Sequence, residues 1–129
     1  MDMKTKLYLV DNQGEKFMGI GVLWLLKRID SAGSLRAAAA TLGISYSKAY
    51  TMVSNLEQKI GIPVVNRKRG GADHEGSSLT AFGERFIALY DGFQEDAKRR
   101  LVEPFEVFSK NLEKLLQDYT QDEEERAHE

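Results

Sequence analysis

The chain has 129 residues, of which 42% are hydrophobic and 29% charged, with a formal net charge of −2 and no cysteine. This length suits one domain with a hydrophobic core, and the lack of cysteine excludes disulfides, thiolate metal sites and a cysteine nucleophile. The chain does not begin with a basic segment followed by a long apolar run, and it contains no run of about 18 apolar residues. We therefore expect a cytoplasmic protein that has no membrane partner.

The charges are unevenly distributed along the chain. Residues 36–70 contain six basic residues and one acidic residue, a balance of +5, whereas residues 118–129 contain six acidic residues and one basic residue, a balance of −5. A basic segment attracts phosphate groups even when the whole chain is slightly acidic. The charge distribution is therefore compatible with a nucleic-acid partner.

The first predicted elements are a β-hairpin and a helix. Residues 4–10 alternate in polarity, residues 11–14 (Asp-Asn-Gln-Gly) are typical of a turn, and residues 15–18 complete the hairpin. An apolar stripe at helical spacing then extends from Ile20 to Ile29 and stops before Gly33. On this helix Trp24 is interpreted either as a core residue or as a dimer contact.

The central stretch, residues 34–56, predicts two short helices joined by a tight turn around Gly43. Glycine suits the turn because it adopts positive φ without a Cβ clash. The small residues Ala38 and Ala39 allow the helices to lie close together, and Ser34 and Ser45 are suited to cap their N-termini. This is the pattern of a helix-turn-helix, in which the second helix enters the major groove of DNA.

The second helix of this motif is predicted to run from about Ser45 to Ile60 and to have one apolar and one polar face. The polar face carries hydroxyl, aromatic and cationic side chains and no acid before Glu57, which suits base edges and phosphates. Tyr46 and Tyr50 have a second interpretation, packing against their own domain. With Arg36 on the first helix, the candidate DNA-binding residues here are Ser45, Tyr46, Ser47, Lys48, Tyr50, Thr51 and Ser54.

Two short strands around a glycine-rich tip are predicted next, as a wing. The first strand ends in the cationic triplet Arg67, Lys68 and Arg69. Because no hydrophobic core accepts three consecutive cations, the triplet is expected on the surface, where it would hold DNA phosphates. An oxyanion-binding loop at residues 70–76 is an alternative, although the segment lacks the Gly-Lys-Ser/Thr ending of a phosphate loop.

A long amphipathic helix is predicted after Thr80, a suitable N-cap. A proline costs a helix interior roughly 3 kcal/mol, so Pro104 predicts a kink or break near residues 102–103 and a second segment to about Tyr119. The apolar stripe is predicted to pair with a second chain, and the alternative is packing on its own domain. The candidate dimerisation residues are Trp24, Phe86, Leu89, Phe93, Leu101, Phe105, Phe108 and Leu112.

Several motifs together resemble the N-terminal DNA-binding domain of ModE-type molybdate-responsive regulators and, more distantly, that of LysR-type regulators. They are Ile44-Ser45-Tyr46, Leu56-Glu57, Arg67 with Gly70-Gly71, Leu79-Thr80 with Gly83, and Leu89-Tyr90-Asp91. The resemblance implies a winged helix-turn-helix that binds DNA as a two-fold dimer through its long helix. In that family separate C-terminal β-domains sense molybdate, and we expect this chain to lack such a domain.

The predicted fold is mostly α with small β elements. It comprises a winged helix-turn-helix with an N-terminal hairpin over residues 1–79, a dimerisation helix over residues 80–119 and a disordered acidic tail over residues 120–129. We expect a homodimeric transcriptional regulator that binds double-stranded DNA, with no enzymatic activity, no metal and no cofactor. A separate effector protein is a possible further partner. The alternative function is a winged-helix module or adaptor that binds another protein.

Overall fold

The computed structural model describes residues 1–67 and 76–128. Its elements in chain order are β1 (Leu9–Val10), β2 (Lys16–Met18), α1 (Ile20–Ala32), α2 (Leu35–Thr41), α3 (Tyr46–Ile60), β3 (Val65–Arg67), β4 (Ser77–Leu79), α4 (Ala81–Arg100) and α5 (Val102–Ala127). Strands β1 and β2 form one antiparallel pair, and β3 and β4 form another. The predicted class, mostly helical with two small hairpins, is confirmed. No helix in these two ranges is long and apolar enough to cross a membrane.

The segment Lys6–Gly92 forms one compact unit, and Met1–Thr5 forms a second unit with the chain from Phe93 onward. The buried core of the described chain lies in the first unit, and α1 contributes five of its residues. This unit extends past residue 79, the expected domain boundary, because Ile87 and Tyr90 of α4 are buried in the same core. The Tyr90 hydroxyl also donates a 2.7 Å hydrogen bond to the Leu7 carbonyl.

The helix-turn-helix forms as its sequence predicts. The Ser34 hydroxyl accepts from the Ala37 amide at 3.0 Å, and the Ser45 hydroxyl accepts from the Lys48 amide at 3.1 Å, so both serines cap their helices. Gly43 has a φ of +69°, the left-handed conformation that the turn requires. The predicted close approach of the two helices is confirmed, because Ala38 and Ala39 are fully buried and α2 packs on α3.

In the second unit, the predicted break occurs at Leu101, between α4 and α5. Pro104 is then the third residue of α5, a position whose N–H needs no intrahelical acceptor, so the ring is tolerated there. The expected disorder of residues 120–129 is wrong for the part that is described, because α5 continues past Tyr119 to Ala127. After Pro104 the chain contains no glycine or proline, and glutamate is a good helix former, so nothing in the sequence stops this helix.

Candidate nucleic-acid interface

Helix α3 separates its residues onto two faces. Ala49, Val53 and Leu56 are buried, and Met52 is half-buried beside them. Next to this buried face, an open depression is lined by Ser45, Ser47, Lys48, Thr51, Met52 and Asn55. Four of the predicted DNA-binding residues therefore share one surface, and Ser54 is half-buried.

Both tyrosines of α3 are solvent-accessible. Tyr46 is 39% exposed and Tyr50 is 44% exposed, so neither is a core residue. Their ring centroids lie 6.2 Å apart in a tilted arrangement. The guanidinium carbon of Arg36, an exposed residue of α2, lies 4.3 Å from the centroid of the Tyr46 ring. The three side chains thus form a group beside the N-terminus of α3.

The N-terminal turn of α3 contains Lys48 and no acidic residue. The backbone N–H groups of a first helical turn carry partial positive charge, and a lysine there adds to it. Within the helix this arrangement is unfavourable, because an acidic residue at the same place would stabilise the helix dipole. The local field therefore favours a negatively charged partner such as a phosphate.

Lys59, at the other end of α3, is engaged within the protein. Its ammonium lies 2.6 Å from the Asp11 carboxylate in the turn of the N-terminal hairpin. The hydrogen bond from Lys59, with backbone N–H donors from Glu15 and Gln13, lowers the pKa of Asp11 to about 2. The same hydrogen bond raises the pKa of Lys59. Lys59 belongs to the basic segment that suggests a nucleic-acid partner, but in the structure its positive charge is paired with the Asp11 carboxylate.

The wing is fastened to α3 and α4 at its base. The Glu57 carboxylate accepts hydrogen bonds from the Val64 amide at 2.8 Å and the Val65 amide at 3.3 Å. The Thr80 hydroxyl donates to the Pro63 carbonyl at 2.8 Å and accepts from the Gly83 amide at 2.9 Å, which confirms Thr80 as an N-cap. The start of the wing is thus fixed relative to the last turns of α3 and the first turn of α4.

The returning strand of the wing is held by α1. The Leu79 amide donates to the Asp30 carboxylate at 3.0 Å, and the Ser77 amide donates to the Gly33 carbonyl at 2.9 Å. The backbone of Arg67 pairs with Ser77 in the hairpin. The other two cations predicted to hold phosphates, Lys68 and Arg69, lie outside the described residues, as do residues 70–75 of the predicted loop at residues 70–76.

The candidate dimerisation residues fall into two groups. Phe86 is half-buried and stacks between Phe82 and Tyr90, with ring centroids 6.1 and 6.4 Å away, so it packs on its own domain. Two others, Phe105 and Leu112, are partly buried in the second unit. The remaining residues expose large apolar surfaces, and they are Trp24, Leu89, Phe93, Leu101 and Phe108.

Sequence reasoning missed Asn55 and the role of Glu57. Asn55 lies at the same helical spacing as Ser47 and Thr51, so it could have been placed on the polar face of α3. Its amide group also donates a long hydrogen bond, 3.4 Å, to the Lys16 carbonyl, which joins α3 to the N-terminal hairpin. No sequence pattern indicates the role of Glu57, because its hydrogen-bond donors are backbone amides of a segment that is not helical.

Comparison with known proteins supports this description. Residues 22–84 match the model of bacterial regulatory helix-turn-helix proteins of the lysR family. The molybdenum-pterin-binding protein MopB of Rhodobacter capsulatus is 37% identical over 89 residues, which cover 69% of this chain and 33% of MopB. The DNA-binding transcriptional dual regulator ModE of Escherichia coli (strain K12) is 39% identical over 67 residues, which cover 52% of this chain and 26% of ModE. The chain thus spans about a third of MopB and a quarter of ModE.

Solved structures give the same result for the fold. The crystal structure of the CbnR_DBD–DNA complex matches with a TM-score of 0.52 at 28% identity, covering 64% of this chain and 90% of that one. The BenM_DBD/benA site 1 DNA complex matches with a TM-score of 0.50 at 19% identity, covering 70% of this chain and 96% of that one, which supports the fold alone. Residues 22–84 are therefore similar to the helix-turn-helix domain of the lysR family, and the N-terminal part of the chain is similar to MopB and to ModE.

Proposed function

We propose that this chain is a homodimeric transcriptional regulator that places α3 in the major groove of double-stranded DNA. The observation that carries the proposal is the open face of α3, where Ser45, Ser47, Lys48 and Thr51 lie together without an acidic side chain. Hydroxyl groups donate to and accept from base edges, and lysine binds phosphates or guanine. ModE of Escherichia coli is described as a DNA-binding regulator, and the CbnR_DBD was solved with DNA.

The wing is proposed to contact the DNA backbone beside α3. Its base is fixed by Glu57 and Thr80, so the strand leading to Arg67 leaves the domain at a defined place. The cations at residues 67–69 would then bind phosphates. Such contacts strengthen binding to every sequence, whereas side chains of α3 select among sequences.

Dimerisation is proposed to use the exposed apolar residues of α4 and α5. Leu89 is 75% exposed and Phe93 is 49% exposed, which is costly for an isolated chain in water. From Leu101 to Tyr119 six apolar or aromatic residues recur at alternating steps of four and three, the spacing of a two-helix seam. Two copies joined by this seam would present two α3 helices to an inverted repeat.

A matched pair of lysine variants tests the DNA-binding face. Lys48→Ala and Lys59→Ala each remove one positive charge from α3, but Lys59 already pairs with Asp11. Binding of the full chain to mixed-sequence duplex DNA is measured by fluorescence anisotropy at several salt concentrations. We expect Lys48→Ala to weaken binding and to reduce the slope of log K against log salt by about 0.9, the value for one lost phosphate contact, and Lys59→Ala to leave the slope unchanged.

Equal slopes for both variants and the parent chain would contradict the proposed binding face. Absence of any DNA binding by the parent chain would contradict the proposal as a whole and would favour the protein-interaction module instead. Thermal unfolding of each variant, followed by circular dichroism, controls for loss of structure.

A further inference from the structure

Six apolar or aromatic residues between Leu101 and Tyr119 form a seam whose spacing is the same from either end. They lie four, three, four, three and four positions apart, and they are Leu101, Phe105, Phe108, Leu112, Leu115 and Tyr119. Four of them are 37–68% exposed, and the other two are partly buried. Because the spacing is symmetric about position 110, it allows two copies of the seam to align in the same direction or in opposite directions. Side-chain size and charge therefore decide between the two.

The sizes of the side chains favour opposite directions. In an antiparallel pair centred on position 110, the facing residues are Leu101 with Tyr119, Phe105 with Leu115, and Phe108 with Leu112. Every layer then contains one leucine and one aromatic residue. In a parallel pair each residue faces its own copy, so three layers contain two aromatic rings and three contain two leucines. A large residue opposite a smaller one keeps the two helices at a constant distance, which favours close packing along the whole interface.

The two ends of the seam carry opposite charge. Residues 96–100, just before the seam, contain three cations and one acid, a balance of +2, whereas residues 118–126 contain five acids and one base, a balance of −4. Helical hydrogen bonds continue through the break at Leu101, because its amide donates to the Ala97 carbonyl at 3.1 Å and its carbonyl accepts from the Phe105 amide at 3.0 Å. The cations therefore stay beside the start of the seam. An antiparallel pair places them next to the acidic end of the second copy, whereas a parallel pair brings two acidic ends together, where they repel.

We propose that two copies of this chain associate through an antiparallel seam whose two-fold axis passes near position 110. The inference rests on the proposed homodimer and adds the direction in which its helices pair. The partner of each acidic end is then the basic segment at residues 96–100 of the second copy. The seam residues exclude water along the centre of the interface, and the charges at the ends set the direction.

Single cysteines test the direction, because the chain contains no cysteine of its own. Full-length Leu101→Cys and Tyr119→Cys chains with tags of different mass are mixed, left to exchange subunits and oxidised, and the disulfide-linked species are separated by size. In the antiparallel pair residue 101 lies level with residue 119 of the second copy, so the mixed cross-link is expected to exceed either same-variant cross-link about tenfold or more. Two copies of residue 119 would be about 27 Å apart along the helices, at 1.5 Å per residue, which is far beyond the ~7 Å between Cα atoms that a disulfide spans.

Lys110→Cys is the control, because this exposed residue lies two positions from Phe108 and from Leu112 and therefore on the other side of the helix. It reports cross-linking by random collision and is expected to give only that background. Same-variant cross-links of Tyr119→Cys in excess of the mixed one would overturn the antiparallel direction and leave the proposed dimer intact, and a mixed cross-link no stronger than the background would also overturn it. A parent chain that sediments as a monomer would refute the dimer itself, and this inference with it. Sedimentation of each reduced variant checks that the dimer is kept.

Discussion

The Glu57 carboxylate lies 2.8 Å from the backbone nitrogen of Val64, and this contact joins α3 to the wing. One acidic side chain accepts from the first two residues that enter β3, since the Val65 amide also donates to it at 3.3 Å. Glu57, the acidic residue of α3, is therefore held at the base of the wing.

Removing the Glu57 carboxylate is expected to loosen the wing. Glu57→Ala leaves two partly buried amides without their acceptor, which costs about 1–3 kcal/mol in the free energy of unfolding. Glu57→Gln keeps one acceptor oxygen and is expected to lose less. Denaturant unfolding measures both values, and an equal loss in the two variants would contradict the hydrogen-bonding role.

Gly83 is expected to tolerate no side chain, because a Cβ at this position would collide with the Val64 carbonyl oxygen. The oxygen is a backbone atom and the Cβ is bonded directly to the backbone of α4, so neither can move away cheaply, and Gly83→Ala is expected to destabilise the fold by about 1–3 kcal/mol. Gly92→Ala is the matched control in the same helix. A Cβ at Gly92 meets no atom within 4 Å, so this change is expected to stabilise α4 by up to about 1 kcal/mol. Similar thermal unfolding of both variants would contradict the close approach of α4 to residue 64.

The Asp11–Lys59 ion pair predicts a pH dependence of stability. The pKa of Asp11 is lowered from 3.8 to about 2 in the folded chain, so the carboxylate stabilises the fold fully above about pH 4, and this stabilisation is lost as the pH falls toward 2. Asp11→Asn keeps a turn acceptor but removes the charge. We expect the difference in unfolding temperature between the parent chain and Asp11→Asn to narrow between pH 4 and pH 2. A constant difference over that range would show that the ion pair contributes nothing to stability.

The Ser45 side chain allows stability and DNA binding to be separated. Aspartate is as good an N-cap as serine and suits the positive end of α3, so Ser45→Asp is expected to keep or raise the unfolding temperature. It also places a negative charge on the proposed DNA-binding face, and we expect affinity for duplex DNA to fall about tenfold or more. A variant that is stable and binds DNA normally would show that the start of α3 does not contact the duplex.

If the exposed apolar stripe of α4 and α5 forms the proposed dimer, variants that place a charge on this stripe should have the mass of a monomer in solution. Leu89→Glu and Phe93→Glu place a charge on exposed apolar positions, so each folded chain is expected to sediment as a monomer at concentrations where the parent is a dimer. Val10→Glu changes a comparably exposed apolar residue on β1 and is expected to remain dimeric. Loss of the dimer in all three variants, or in none, would contradict the assignment of the interface to this stripe.

Local sequence patterns predicted most of the fold. Serine caps, glycines in left-handed turns and apolar periodicity fixed the ends of α1, α2 and α3 to within a residue, because each of these signals acts on its own neighbours. A kink or break was predicted near residues 102–103 for the same reason, since proline acts within one helical turn, and the structure has the break at Leu101. The continuation of α5 was missed because acidic composition suggested disorder, although glutamate itself favours a helix.

Contacts between distant residues were harder to predict. The spacing of polar residues along α3 predicted its polar face. The ion pair between Lys59 and Asp11 could not be predicted in this way, because it depends on where the N-terminal hairpin lies and no local pattern gives that position. The stacking of Arg36 on Tyr46 likewise joins residues of two helices. Phe86 was assigned to the dimer stripe by its spacing, whereas its stacking with Phe82 and Tyr90 shows that one stripe serves both the domain core and exposed surface.

The most direct test of the central claim is a binding selection of random duplex DNA by the full chain, carried out at two salt concentrations. If α3 reads bases and two chains act together, the selected duplexes will share an inverted repeat, and their affinity will fall steeply as salt rises. Recovery of duplexes with no shared sequence, or of none, would contradict a sequence-specific dimeric regulator.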